Sequence, residues 1–137
     1  MKKELYTYSF EKLEVWQLAR QLKKEVYLIT RGFPKEELYG YTSQMRRAAS
    51  SITVNLAEGS GRANNTDKAY FTNMAISSAL EIIDHLIGVF DLELISEEEY
   101  TCMRLDLDQI IKKLNSLYKF QLKDEESLKS KMKNDKL

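Results

Sequence analysis

The 137-residue sequence predicts an all-α fold, an antiparallel up-down four-helix bundle with left-handed packing, on three observations. Turn formers are scarce, with 5 Gly and 1 Pro, too few for a many-stranded β fold. Four segments repeat apolar residues every three or four positions, the spacing that gathers side chains on one face of a helix. Short breaks separate them, and short connections favour antiparallel neighbours. Hydrophobic residues make up 43% of the chain, enough for a continuous core without disulfides or metals. A dimerising helical hairpin is the alternative arrangement of the same pattern.

The first helix is predicted over residues 11–30, where Val15, Leu18, Ala19, Leu22, Val26 and Ile29 form one stripe. Gly32 stops it, and Pro34 followed by Lys35, Glu36 and Glu37 reads as the next start, with acids near the positive end of the helix dipole. The stripe of the second helix is Leu38, Tyr41, Met45, Ala48, Ala49, Ile52 and Leu56, and its small residues would let a neighbour approach closely. Gly59 to Asn65 reads as a helix-ending turn with Asn65 or Thr66 as the next N-cap.

The third helix, expected over residues 66–94, carries two apolar stripes. Phe71, Ala75, Ile82, Leu86 and Val89 form one; Ile76, Leu80, Ile83, Ile87, Phe90 and Leu94 form the other. A surface helix normally needs one stripe, so Ile76, Leu80, Ile83, Ile87 and Phe90 are the candidate surface for a homo-oligomer. Ser96 and Glu99 have the spacing of a capping box. A fourth helix then runs through Tyr100, Met103, Leu107, Ile110, Leu114 and Leu117, widened by Ile111 and Tyr118, to about residue 122. The folded domain is therefore placed at residues 1–122, with 123–137 a charged tail expected to be frayed or disordered.

Twenty-one basic and 21 acidic residues leave no net charge, so any nucleic-acid binding must use a patch. The distribution is uneven: residues 1–34 hold seven basic and four acidic side chains, residues 66–95 one and five. Lys12, Arg20, Lys23, Lys24, Arg46, Arg47 and Arg62 are the candidate phosphate contacts, repeated by symmetry in an oligomer. The opposing reading is an ordinary solvated face. Tyr27, Tyr39, Tyr41, Tyr70 and Tyr118 sit at core or boundary spacing, where tyrosines pack rather than stack on bases.

Catalytic chemistry finds little support. His85 is the one histidine and lies among Ile82, Ile83, Leu86 and Ile87, the setting of a structural imidazole. Gly59-Ser60-Gly61 lacks the spacing of a nucleophile elbow and the lysine of a phosphate loop. A di-iron bundle needs two Glu-x-x-His pairs, which the sequence does not supply. No enzyme, cofactor, metal or small-molecule substrate is expected. Glu81, between the two stripes, would be costly to bury alone; Asn55 and Arg46 or Arg47 are its candidate partners, in a polar network that also takes in Glu58. Cys102 reads as a small buried hydrophobe. Without a signal-peptide pattern or about 20 uncharged apolar residues in a row, the expected location is the cytoplasm, with no membrane partner.

Three motifs carry a resemblance. They are Phe10-x-x-Leu13-x-Val15-Trp16-x-x-Ala19; Phe33-Pro34-x-Glu36-Glu37-x-Tyr39-Gly40; and Gln44-Met45-Arg46-Arg47-Ala48-Ala49-x-Ser51-Ile52-x-x-Asn55-Leu56-Ala57-Glu58-Gly59, followed by Phe71, Ala75, Ser77-Ser78-Ala79 and Glu81. Over residues 10–122 the chain resembles the bacterial four-helix bundle family named for the 23S rRNA intervening sequence protein. The resemblance implies an up-down bundle assembling as a pentamer, and no enzyme. A related branch, the accessory variability protein of diversity-generating retroelements, binds nucleic acid through a basic surface; this chain departs from it in being neutral, with a pI near 6.6. Among the motif positions, Gly59 is expected to end a helix, Asn55 to link helices, and Arg46 or Arg47 to pair with Glu58 or Glu81. The expected partners are further copies of the chain and RNA or a ribonucleoprotein; the alternative is a protein-interaction scaffold that never touches nucleic acid.

Overall fold

The computed structural model describes residues 3–135, with side chains to Lys123. Four helices form a bundle: α1 Glu14–Thr30, α2 Ser43–Ser60, α3 Asn65–Asp91 and α4 Glu97–Asp135. The extended Leu13 (φ −73°, ψ 120°) separates α1 from a 3-10 turn at Ser9–Lys12, so the expected start of the first helix moves inward.

Pro34 also opens something other than the expected α-helix. A 3-10 turn, Lys35–Glu37, and a π-type turn, Leu38–Thr42, come first, because Gly40 adopts a non-helical conformation (φ −102°, ψ −116°). Leu38 is consequently exposed rather than in the stripe of α2. Asn64, one residue before the predicted caps, closes the start of α3: its side chain accepts the backbone N–H of Asp67 at 2.9 Å. At the start of α4 both bonds of the capping box form. The Ser96 N–H donates to Glu99 Oε1 at 2.9 Å, and the Glu99 N–H to Ser96 Oγ at 3.1 Å. α4 continues past its expected end because no Gly or Pro follows Leu122 to stop it. The tail expected to be frayed or disordered from residue 123 lies within α4 as far as Asp135, and residues 136–137 are outside the described residues.

Each helix packs on its chain neighbours, and α1 also packs on α4. Across these contacts residue numbers rise on one helix as they fall on the next, the order of antiparallel neighbours. Tyr41 meets His85 while Gly59 meets Phe71; Thr72 meets Gln121 while Phe90 meets Tyr100. Most of the predicted stripe residues make the core: Val15, Ala19, Leu22 and Val26; Met45, Ala48, Ala49, Ile52 and Leu56; Ala75, Ile82, Leu86 and Val89; Met103, Leu107, Ile110 and Leu114. Ala79 and Ile95 join them outside the predicted stripes, and Leu18, Ile29, Tyr41, Tyr100 and Leu117 are only partly buried against it.

Gly59 does not end its helix. It lies within the last turn of α2, where an added Cβ would sit 2.9 Å from Phe71 Cβ and 3.5 Å from the Lys68 carbonyl oxygen. The glycine allows α2 and α3 to touch. Cys102, expected to be buried, is exposed, since it falls one step off the spacing of Met103, Leu107 and Ile110.

The second stripe of α3 divides. Ile76, Ile83 and Phe90 pack against the bundle's own core, Phe90 stacking on Tyr100 at 4.7 Å. Leu80 and Ile87 stay open, 53% and 41% exposed. α3 is also long and apolar enough, by length and composition, to cross a membrane, although Asp67, Lys68, Glu81, Asp84 and Asp91 leave it no run of about 20 uncharged residues. In the bundle that apolarity serves the core stripe and the α4 contact, with only Leu80, Ile87 and the flanking Tyr70 and Met74 left as large exposed hydrophobics.

Candidate nucleic-acid interface

α1 turns Val15, Ala19, Leu22 and Val26 inward, and helical spacing then fixes what faces out. Arg20, Lys23, Lys24, Tyr27, Leu28 and Arg31 line one open hollow of about 560 Å³. No acidic residue lines it, and none of its four cations is in an ion pair among the described residues. Three cations on other faces do meet carboxylates: Lys113 lies 3.1 Å from Glu14, Arg104 3.4 Å from Asp108 and Arg47 3.6 Å from Glu81. Like charges on neighbouring turns repel, so four cations over about three turns, in no ion pair among the described residues, favour an anion.

Arg46 borders this face from α2. Its guanidinium lies 4.6 Å from the centre of the Tyr27 ring, and its Nε–H donates to Thr30 Oγ1 at 2.9 Å. The Thr30 hydroxyl in turn donates to the Val26 carbonyl at 2.7 Å. Arg46 is thereby held in place with part of its donor capacity still available.

The other predicted contacts do not join the group. Arg47 points to the α3 side, donating to Gln44 Oε1 at 2.6 Å as well as facing Glu81. Arg62 lies over the Phe71 ring at 4.6 Å, on the turn between α2 and α3, and Lys12 is exposed on the 3-10 turn before α1. Arg31 was missed although 20, 24, 27 and 31 are helically spaced, because it falls just past the predicted helix end; it is the C-cap, still with helical φ and ψ.

The proposed polar network separates into three links. Arg47 does meet Glu81, but their side chains are 66% and 40% exposed, so this pair is solvated rather than buried, and such pairs contribute about 0–1 kcal/mol. Arg46 belongs to the α1 contact instead. Asn55 does not reach Glu81: its amide donates to the Ser51 carbonyl at 2.8 Å and hydroxyl at 3.0 Å, and the Ser78 hydroxyl donates to Ser51 Oγ at 2.8 Å. This Asn55, Ser51 and Ser78 set is the polar link between α2 and α3. Glu58 is exposed and takes no part in it.

His85 is mostly buried, edge-on to Tyr41 with ring centres 5.7 Å apart. Its Nε2 lies 3.7 Å from Glu81 Oε2, beyond hydrogen-bond distance, and has no other partner. Among the described residues no three His, Cys, Asp or Glu side chains gather as metal ligands would. Between α1 and α4, Glu25 faces Asp106. Burial first, and the hydrogen-bonded Asp106 carboxyl second, push the Glu25 carboxyl above its ordinary range, with Gln21 acting the other way. Of the tyrosines read as packed, Tyr39 and Tyr70 are exposed, whereas Tyr27, Tyr41 and Tyr118 are partly buried.

No curated protein matches the chain. A solved structure, that of a protein with unknown function from the S23 ribosomal protein family of Bacteroides thetaiotaomicron VPI-5482, superposes with a TM-score of 0.69 at 22% identity. It covers 77% of this chain and 98% of that one. At that identity the likeness concerns the fold, a bundle with the same helical frame. The sequence carries the kinship further: the family model for the 23S rRNA-intervening sequence protein matches residues 11–116, which take in α1, α2, α3 and the core-forming part of α4, so the chain belongs to that family.

Proposed function

We propose that the protein is a non-enzymatic, cytoplasmic, homo-oligomeric bundle that binds RNA or a ribonucleoprotein through the α1 face. The observation that carries this reading is the set Arg20, Lys23, Lys24 and Arg31, four cations sharing one hollow without an acidic neighbour in its lining. A neutral molecule gains no bulk attraction for a polyanion, so such a concentration of charge is where phosphates would be held. The family resemblance supports a pentamer, in which five copies of the face would act together, and multivalency raises affinity without new contacts. Leu80 and Ile87 are the exposed apolar residues that a neighbouring copy would cover.

The test is fluorescence anisotropy with a labelled structured RNA across a salt series. Three or four phosphate contacts per face predict a log–log slope of about −2 to −4, and the triple variant R20E/K23E/K24E should flatten it by about one per cation removed. Absence of binding at low salt, or a triple variant that binds as the parent does, rejects the proposal.

A second reading, a scaffold that docks another protein, draws on Leu38 and the almost fully exposed Tyr39, which crown the connection before α2. It predicts one stoichiometric protein partner recovered from nuclease-treated lysate and lost in the variant L38S/Y39S.

A further inference from the structure

The basic hollow does not stand alone. From Arg20 a chain of ring contacts leads away along the surface to the N-terminal segment. The Arg20 guanidinium lies 5.6 Å from the Trp16 ring centre; Trp16 meets Phe10 edge-on at 5.1 Å; Phe10 and Tyr8 are nearly parallel at 6.3 Å; and Tyr8 meets Tyr6 edge-on at 4.9 Å. Phe10 and Trp16 are partly covered, but Tyr6 and Tyr8 are 78% and 59% exposed. Neither ring contributes to the core, so folding alone gives no reason for two aromatics to be gathered there.

The place of Tyr8, on which the Tyr6 ring rests, is fixed all the same. The Tyr8 N–H donates to Glu11 Oε2 at 2.7 Å, and the Glu11 N–H donates to the Tyr8 carbonyl at 3.1 Å, closing the 3-10 turn on its own acid. Gln17 Nε2 then donates to the Glu11 carbonyl at 2.9 Å, tying the turn to α1. An aromatic ring held open in this way loses little freedom when something stacks on it, which is how preorganisation raises affinity.

We infer that the strand held by the basic face is unpaired: a single-stranded RNA whose bases stack on Tyr6 and Tyr8 while its phosphates follow Arg20, Lys24 and Arg31. The inference rests on the proposal that this face binds RNA, and it adds the aromatic arm as a second contact. Open rings continuous with a line of cations are the two elements of a single-strand site, because every base has a face to stack and every nucleotide a charge to hold. A duplex offers only the second, its bases being stacked on each other already. Arg20 and Arg31, eleven residues apart on one helix, span about 16 Å, so the site follows a backbone instead of gripping one phosphate. Arg20, in contact with Trp16, is where the two elements meet.

The test uses the full chain with a fluorescein-labelled, unstructured 12-nucleotide oligoribonucleotide and with the duplex formed from that strand and its complement. The single strand should bind more tightly than the duplex, and it alone should quench the emission of Trp16, the one tryptophan of the chain. Y6A/Y8A should weaken single-strand binding at least about 10-fold, as loss of stacked bases does, and leave duplex binding unchanged; Y6F/Y8F, which keeps the rings, should bind like the parent. If Y6A/Y8A binds the single strand normally while R20E/K23E/K24E does not, the inference is overturned and the basic-face proposal stands. If the parent binds neither RNA, both fall.

Discussion

Glu25 shows how a residue's behaviour depends on what the fold sets opposite it. In sequence it is one of 21 acids; in the bundle it is partly buried on α1 and facing Asp106 on α4, so its carboxyl holds a proton more tightly than an isolated glutamate does. A group whose folded pKa is raised binds more protons in the native state than in the unfolded one. Its contribution to stability is therefore present in acid and lost as pH rises from the ordinary value of 4.5 through the raised one. E25Q removes the ionisation while keeping a hydrogen-bonding side chain. Urea denaturation should find E25Q more stable than the parent at pH 7, with a smaller decline between pH 4 and 7; equal stability at both pH values would show that the carboxyl pair carries no such cost. Spacing placed Glu25 on α1 but could not pair it with Asp106, which is 81 residues away in the chain.

At the scale of the elements, the approach of α2 to α3 is governed by Gly59. Replacing a helical glycine by alanine normally gains up to about 1 kcal/mol of propensity, whereas forcing a methyl group into a filled contact costs about 1–3 kcal/mol. The atom in the way is Phe71 Cβ, fixed to the backbone of α3 and unable to swing aside. The steric cost should win, and G59A should lower the thermal midpoint; an unchanged or higher midpoint would show that the helices can separate freely. The cap of α4 was legible beforehand because Ser96 and Glu99 complete their bonds within four residues. Gly59 was misread because a glycine before a turn and a glycine beneath a crossing helix look alike until the partner helix is placed. Gly40 was likewise not recognised as the break that delays α2 to Ser43.

For the whole molecule, the question is how much apolar surface one chain leaves uncovered. The two-stripe pattern of α3 overstated it, since Ile76, Ile83 and Phe90 are packed against the core within the same subunit. What stays open is an outward line on which Leu80 and Ile87 alternate with Ser77, Asp84 and Asp91. Full burial of two such side chains contributes about 3–6 kcal/mol per interface at about 1.5–3 each. Under the proposed assembly, sedimentation equilibrium should give a multiple of the 16.0 kDa chain, and L80D/I87D should give single chains with undiminished helix content. A parent mass of one chain, or a variant still assembled, would reject α3 as the interface.

The sequence by itself determined the helices, their inward faces, the α4 cap and the family, because each depends on spacing within one segment or on motifs that read along the chain. Only the tertiary structure decided which groups stand together. It placed Arg31 beside Arg20 and Lys24, drew Arg46 onto Tyr27 and away from Glu81, linked Asn55 to Ser78 through Ser51, and left Tyr6 and Tyr8 open beside the path to the basic face. The physical reason is that periodicity fixes a side chain's direction about its own helix axis, whereas its neighbours depend on how separate helices are set against one another, and that setting arises from packing among residues distant in the chain.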